Sequence, residues 1–290
     1  MKLEADVLVD SRSLLGEGAF WDARKRFLYW VDIHNGLLFI NDPAARKNDR
    51  FEIGEKIGSV VPREKGGLLL ALEKSVAQFD PDTGILKRLI TIEQDLPKNR
   101  LNDGKCDPAG RFWVGTVCPR ENPKQASLYR VDPDFSVHKM LSGVDISNGI
   151  VWSEDKSKMY YIDSLARRID VFDFDFESGA IVNRECCIEV PESMGMPDGM
   201  CIDQRGRLWV ALFGGWGVAC WNPETRELVE YVRLPVKNVT SCAFGDEGEL
   251  FITTARIHLS EEEANEQEHA GNLFCVKTET RGAPMFHFKG

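Results

Sequence analysis

Four short stretches set an acid or amide directly before glycine and then run into an apolar segment. They are "GEGAFWD" from Gly16, "LNDGKCD" from Leu101, "SNGIVW" from Ser147 and "MPDGMCID" from Met196. The side chains in question are Glu17, Asn102 or Asp103, Asn148 and Asp198. Carboxylate and amide oxygens, with no histidine or cysteine among them, suit a hard divalent cation: Ca²⁺ foremost, then Mg²⁺ or Mn²⁺, with Zn²⁺ less expected. Three or four such donors leave coordination positions for water and a substrate oxygen, as hydrolytic chemistry on a metal requires. Taken singly, each pair is ordinary turn chemistry. Convergence is what would make them a site.

The elements that could bring them together repeat six times. "RFLYWVD" (26–32), "GGLLLAL" (66–72), "GRFWVGT" (110–116), "SKMYYID" (157–163), "GRLWVAL" (206–212) and "GELFITT" (248–254) share one pattern. Aligned on Tyr29, Leu69, Trp113, Tyr160, Trp209 and Phe251, they are spaced 40, 44, 47, 49 and 42 residues apart. Short aromatic and β-branched runs bounded by Gly, Asp or Pro are strands, and the Asp-Pro and Asn-Pro turns that follow most of them mark hairpins. Four short strands per repeat of this length make a propeller blade. The expected fold is all-β: a six-bladed β-propeller occupying 1–290 as one domain, with a metal site at one end of the central channel. The strand "LEADVLV" (3–9) is expected to complete the last blade, although "PMFHFKG" (284–290) competes for the same edge. "LSEEEANEQEHA" (259–270) is the one helix-like stretch, and its acidity suits a solvated excursion.

Within this frame the four oxygen positions fall in register. Glu17 and Asn148 lie 12 residues before their aligned aromatics, Asp198 lies 11 before, and Asn102 and Asp103 lie 11 and 10 before. That is where the chain enters the innermost strand of a blade, so residues some 45 apart meet at the channel mouth. Ile57-Gly58 and Thr240-Ser241 complete the ring without carboxylates. Turn chemistry alone does not select Glu17. Two or three carboxylates converging in a low-dielectric funnel repel, and a cation relieves the repulsion.

Other function classes are disfavoured. The chain has 290 residues, 43% of them hydrophobic, and a formal net charge of −10. Without a basic cluster interleaved with aromatics, a nucleic-acid partner is not expected. No run approaches the ~18 apolar residues of a membrane span, and the first residues do not read as a secretory leader. Eight cysteines without C-x-x-C spacing suit a reducing cytosol, so a cytoplasmic location is expected. The histidines show no H-E-x-x-H, and neither a G-x-S-x-G elbow nor a nucleotide-binding G-x-G-x-x-G is found. A monomer or small homo-oligomer is expected.

At these same residues the sequence resembles the senescence-marker-protein/regucalcin family, which includes gluconolactonases and luciferin-regenerating enzymes. The resemblance runs over nearly the whole chain, through "LGEGAFWD" with "LYWVDI", "NRLNDGKCDPAGRFWVGT", "SNGIVWS" with "MYYIDS", "PDGMCIDQRGRLWVALFGG" and "VTSCAFGDEGELFITTA". It implies a six-bladed propeller that binds one divalent metal and opens a sugar lactone to its aldonic acid. It further implies Glu17, Asn148 and Asp198 as metal ligands, Asp198 as acid/base, and Arg100 and Asn102 as substrate contacts; Asp103 would reach the ion through water. Where animal lactonases carry a glutamate against the sugar, this chain reads "VCPREN" (117–122), with Arg120 at the equivalent place and Glu121 one along. Segments 117–126 and 256–270 are expected to rim the pocket. Two alternatives remain: hydrolysis of organophosphate esters or xenobiotic lactones at the same site, and a non-enzymatic calcium-binding propeller.

Overall fold

The computed structural model of the protein describes residues 4–290. Its strands form six four-stranded antiparallel sheets, the blades of a six-bladed β-propeller. Blades 1 to 5 follow chain order from the channel outward. Their innermost strands are Gly16–Asp22, Ile57–Pro62, Arg100–Cys106, Ser147–Trp152 and Met196–Ile202. Blade 6 starts with Val239–Phe244 and continues through Glu249–Thr254 and Leu273–Lys277.

The aligned aromatic and leucine positions all fall in the second strands, which are buried on both faces because each blade packs against two neighbours. Such strands read as continuous apolar runs. Their tryptophans need an acceptor for the indole N–H once buried. In blade 3, Asp107 Oδ2 accepts from Trp113 Nε1 at 2.9 Å and from Arg111 Nε at 2.5 Å. Blade 5 repeats the device with Asp203, Trp209 at 3.0 Å and Arg207 at 2.7 Å.

The two chain ends do different things. Asp6–Val9 is the outermost strand of blade 6, antiparallel to Leu273–Lys277, with Asp6 opposite Cys275 and Val7 opposite Phe274. Leu3 of the strand expected over 3–9 lies outside the described residues. The segment "PMFHFKG" takes no part in that edge. It crosses the exit ends of the inner strands: just ahead of it Ala283 N donates to Ile202 O at 3.0 Å, and within it Phe288 N donates to Pro62 O at 2.9 Å and Phe286 bridges Cys106. The fully buried Phe288 and the His287–Asp22 pair at 3.2 Å anchor it. The channel is thereby plugged at that end, above an apolar cavity of about 40 Å³.

The helix-like stretch holds one short helix, Glu261–Glu266, started by a capping box between Ser260 and Glu263. Among the described residues no helix is long and apolar enough to cross a membrane, and all eight cysteines are free thiols.

Candidate active site at the open mouth of the channel

Every innermost strand breaks register with its neighbour near its start. The shifts fall between Glu17 and Phe20, Ile57 and Ser59, Leu101 and Gly104, Ser147 and Ile150, Pro197 and Met200, and Val239 and Ser241. A bulge leaves residues unpaired and re-aims their side chains. The glycine that follows has a steric reason: a Cβ on Gly149 would lie 2.7 Å from Met200 Cβ, and one on Gly199 2.6 Å from Ser241 Oγ. Inner strands crowd the axis, and only glycine lets the next one pass.

Glu17, Asn102, Asn148 and Asp198 are all buried at one cavity of about 320 Å³. Arg100 and Arg120 stand in its wall. Asp103 does not line it; its carboxylate accepts from Gly104 N at 2.8 Å, and burial raises its pKa against the opposing pull of Lys105. Ile57 packs in the core, and the Thr240 hydroxyl bonds to Gly16 O, so neither offers an acid.

A chain of hydrogen bonds fixes which way the amides point. Pro197 O can only accept, so the Ser164 hydroxyl donates to it at 2.6 Å. The Ser164 oxygen then accepts from Asn148 Nδ2 at 2.8 Å, which turns Asn148 Oδ1 away from it. From the other side, Arg100 Nη1 can only donate, and it reaches Asn102 Oδ1 at 2.6 Å. Asn102 Nδ2 donates to both Asn148 Oδ1 and Ser147 O at 2.8 Å. Both amide hydrogens of Asn102 are thus committed within the protein, and its place in the site is to hold Arg100 and Asn148.

The carboxyls of Glu17 and Asp198 are neighbours in the cavity. Burial pushes both pKa values well above the usual carboxylate range. Glu17 is raised further by the charges of Asp198 and Asp103, and Asp198 by Asp103, partly offset by Glu17 and Arg100. Glu17 accepts from Gly18 N at 3.0 Å, whereas Asp198 Oδ1 is buried without an N–H or hydroxyl donor, and the neighbouring Glu17 carboxyl can serve it only while protonated. A buried carboxylate oxygen left in this state is costly. Among the described residues no three His, Cys, Asp or Glu side chains gather as a metal cluster; the oxygens at the mouth are two carboxyls and an amide.

Arg120 lines the cavity, and Glu121 turns outward to Lys98 Nζ at 3.3 Å. The loops after the second strands of blades 3 and 6 both reach the rim, through Cys118–Arg120 and through Ile257 and His258. Several wall residues were not anticipated: Leu15, His34, Ile146, Ser164, Met196 and Phe213. Three of these, His34, Ser164 and Phe213, sit at or just past the end of a second strand. Counting four or five residues forward from Tyr29, Tyr160 and Trp209 reaches His34, Ser164 and Phe213, a signal as regular as the backward count. Burial, then the charges of Arg100 and Lys56, lowers the His34 pKa.

The family model for the SMP-30/Gluconolactonase/LRE-like region matches residues 15–256, which takes in every side chain lining the mouth except Ile257 and His258. The chain belongs to the SMP-30/gluconolactonase/LRE-like family. Among its relatives is a Bacillus subtilis (strain 168) protein provisionally named sugar lactone lactonase YvrE, 37% identical over 99% of both chains. The solved structure of a luciferin-regenerating enzyme superposes with a TM-score of 0.93 at 30% identity, covering 99% of this chain and 100% of that one. A calcium-binding protein, regucalcin from Agrobacterium tumefaciens strain C58, gives 0.92 at 25% identity over 100% and 98%. The SMP-30 family thus contains lactonase-like enzymes and calcium binders on this one propeller.

Proposed function

We propose that the chain is a cytoplasmic, divalent-metal-dependent hydrolase that opens a sugar lactone to the aldonic acid. One observation carries this: the buried Asp198 carboxyl, whose Oδ1 receives no N–H or hydroxyl donor, shares one cavity with the Glu17 carboxyl and the Asn148 amide, whose Oδ1 is turned away from Ser164. That donor set fits a hard cation, Ca²⁺ first among them. Glu17, Asn148 and Asp198 would hold it, with Asp103 behind them. When bound, such an ion supplies positive charge that polarises a carbonyl and acidifies water.

The remaining work falls to the chain's own side chains. Asp198 takes a proton from the attacking water as the water oxygen adds to the lactone carbonyl carbon. It returns that proton to the ring oxygen as the C–O bond breaks, leaving a hydroxy acid. Arg100, held by Asn102, and Arg120 donate to ring and exocyclic oxygens and fix the ring's orientation.

An apolar wall of Leu15, Met196, Phe213 and Ile257 favours a second reading, an ester or lactone with a larger apolar body, organophosphate esters included. A pH-stat assay on aldonolactones and on aryl esters, with and without chelator, separates these from a non-enzymatic calcium binder. Chelator-sensitive acid release from aldonolactones is expected. No acid release from any lactone under any divalent ion would overturn the proposal.

A further inference from the structure

A second cavity, of about 210 Å³, opens beside the first and shares Arg100, Val117, Cys118 and Pro119 with it. The rest of its wall is Lys56, Glu73 and Lys98. Three cations around one carboxylate is a local inversion of charge in a chain whose net charge is −10. The existing pairs there are weak ones. Lys56 meets Glu73 at 3.1 Å and Lys98 meets Glu121 at 3.3 Å, all four side chains being more than a third exposed. Exposed pairs of this kind contribute little and exchange readily for a better partner.

Arg100 joins the two spaces. Its Nη1 is committed to Asn102 Oδ1 and to Leu101 O at 3.0 Å, while Nη2 and Nε make no protein hydrogen bond among the described residues. Arg100 and Lys56 both bear on His34 in the main cavity, so the two cavities form one electrostatic space. A ligand whose reacting end lies at Asp198 has Arg100 on its flank and the lysines beyond.

We propose that this annex is an anion subsite, taking a carboxylate or phosphate carried at the far end of the substrate, so that acidic lactones are the preferred substrate class. The substrate assignment rests on the lactone-hydrolase reading; the anion binding itself does not. Guanidinium and ammonium donors converging on a partly enclosed space favour oxyanions over hydroxyls, because charge-assisted hydrogen bonds are the stronger.

Two measurements test it on the whole protein with its activating ion. The first compares kcat/KM for glucono-δ-lactone, its 6-phosphate and the lactone with a carboxylate at the same carbon, in the wild type and in the double variant Lys56→Gln/Lys98→Gln. The expected result is a preference of about tenfold or more for one or both charged lactones, expressed in KM and largely lost in the double variant. Which charged lactone is preferred tells phosphate from carboxylate. Equal use of charged and neutral lactones by the wild type, or a preference that survives in the double variant, would overturn the subsite. The second is calorimetric binding of open-chain 6-phosphogluconate against gluconate, which needs no turnover. If no lactone is hydrolysed, the hydrolase reading fails, and calorimetry still decides the annex: tighter 6-phosphogluconate binding that weakens in the double variant supports it, and equal affinities sink it.

Discussion

Asn102 Nδ2 donates to Asn148 Oδ1 at 2.8 Å, from the innermost strand of blade 3 to that of blade 4. The bond belongs to a run that starts at a donor-only guanidinium, Arg100, and ends at an acceptor-only carbonyl, Pro197. Its polarity is therefore set at both ends, and neither amide is free to flip.

Groups that orient a metal ligand are felt in ion affinity even without touching the ion. Ser164→Ala and Asn102→Ala should each weaken divalent-ion binding by about 10–100-fold, and Asn148→Ala should lose more. Calorimetric titration with Ca²⁺ checks this. Wild-type affinity in Ser164→Ala would mean that the Asn148 amide does not depend on this bond.

Asp198 carries a pH prediction whose sign can be worked out. Burial first, then Asp103, raises its folded pKa above the unfolded value, so the ion-free folded state binds more protons than the unfolded one. Stability of the ion-free protein should then fall as pH rises from the ordinary carboxylate range through the folded pKa. Ion binding should release protons and strengthen with pH. Asp198→Asn should flatten the stability slope and cut turnover by roughly two to four orders of magnitude. Thermal melts across pH in chelator, with and without the substitution, read the first effect, and the pH-stat rate reads the second. A slope of the opposite sign would show the carboxyl to be ionised without an ion.

Arg120 and Glu121 separate specificity from surface charge. With Arg120 in the cavity wall and Glu121 paired to Lys98, Arg120→Ala should change relative kcat/KM among lactones while leaving ion affinity alone. Glu121→Ala should do neither. The reverse pattern would place the acid in the pocket.

Phe288 tests the plug. It is fully buried against Phe135 and the inner strands, so Phe288→Ala should cost roughly 3–5 kcal/mol. Ion affinity at the opposite end should stay as it was. Urea denaturation measures the first, and a loss below about 1 kcal/mol would show that the tail is not part of the core.

The blades were legible because Tyr29, Trp113, Trp209 and their counterparts are large, buried on both faces and evenly spaced. The mouth was legible for the same reason, as a count of ten to twelve residues back from those positions. The count could not choose between Asn102 and Asp103, because the bulge between Leu101 and Gly104 leaves both unpaired and sends their side chains different ways. Nor could it choose the closing strand. "PMFHFKG" alternates apolar residues as an edge strand does, and a plug lying across strand ends buries the same alternation. The side chains of His34, Ser164 and Phe213 were missed because they lie at or just past the ends of second strands, where no repeated residue type marks the position.

The pairing of Asp6 with Cys275 joins residues 269 positions apart and completes blade 6 with a strand from the other end of the chain. Every other blade is built from consecutive hairpins and can form locally. Bringing two such distant segments together costs about 3–4 kcal/mol more loop entropy than closing a four-residue hairpin. Loop entropy thus favours forming this seam after its neighbours have supplied a template. Until then Leu273–Lys277 presents an unpaired edge, open to a strand of any other chain. The faster that pairing forms, the shorter the time for which the edge stands open.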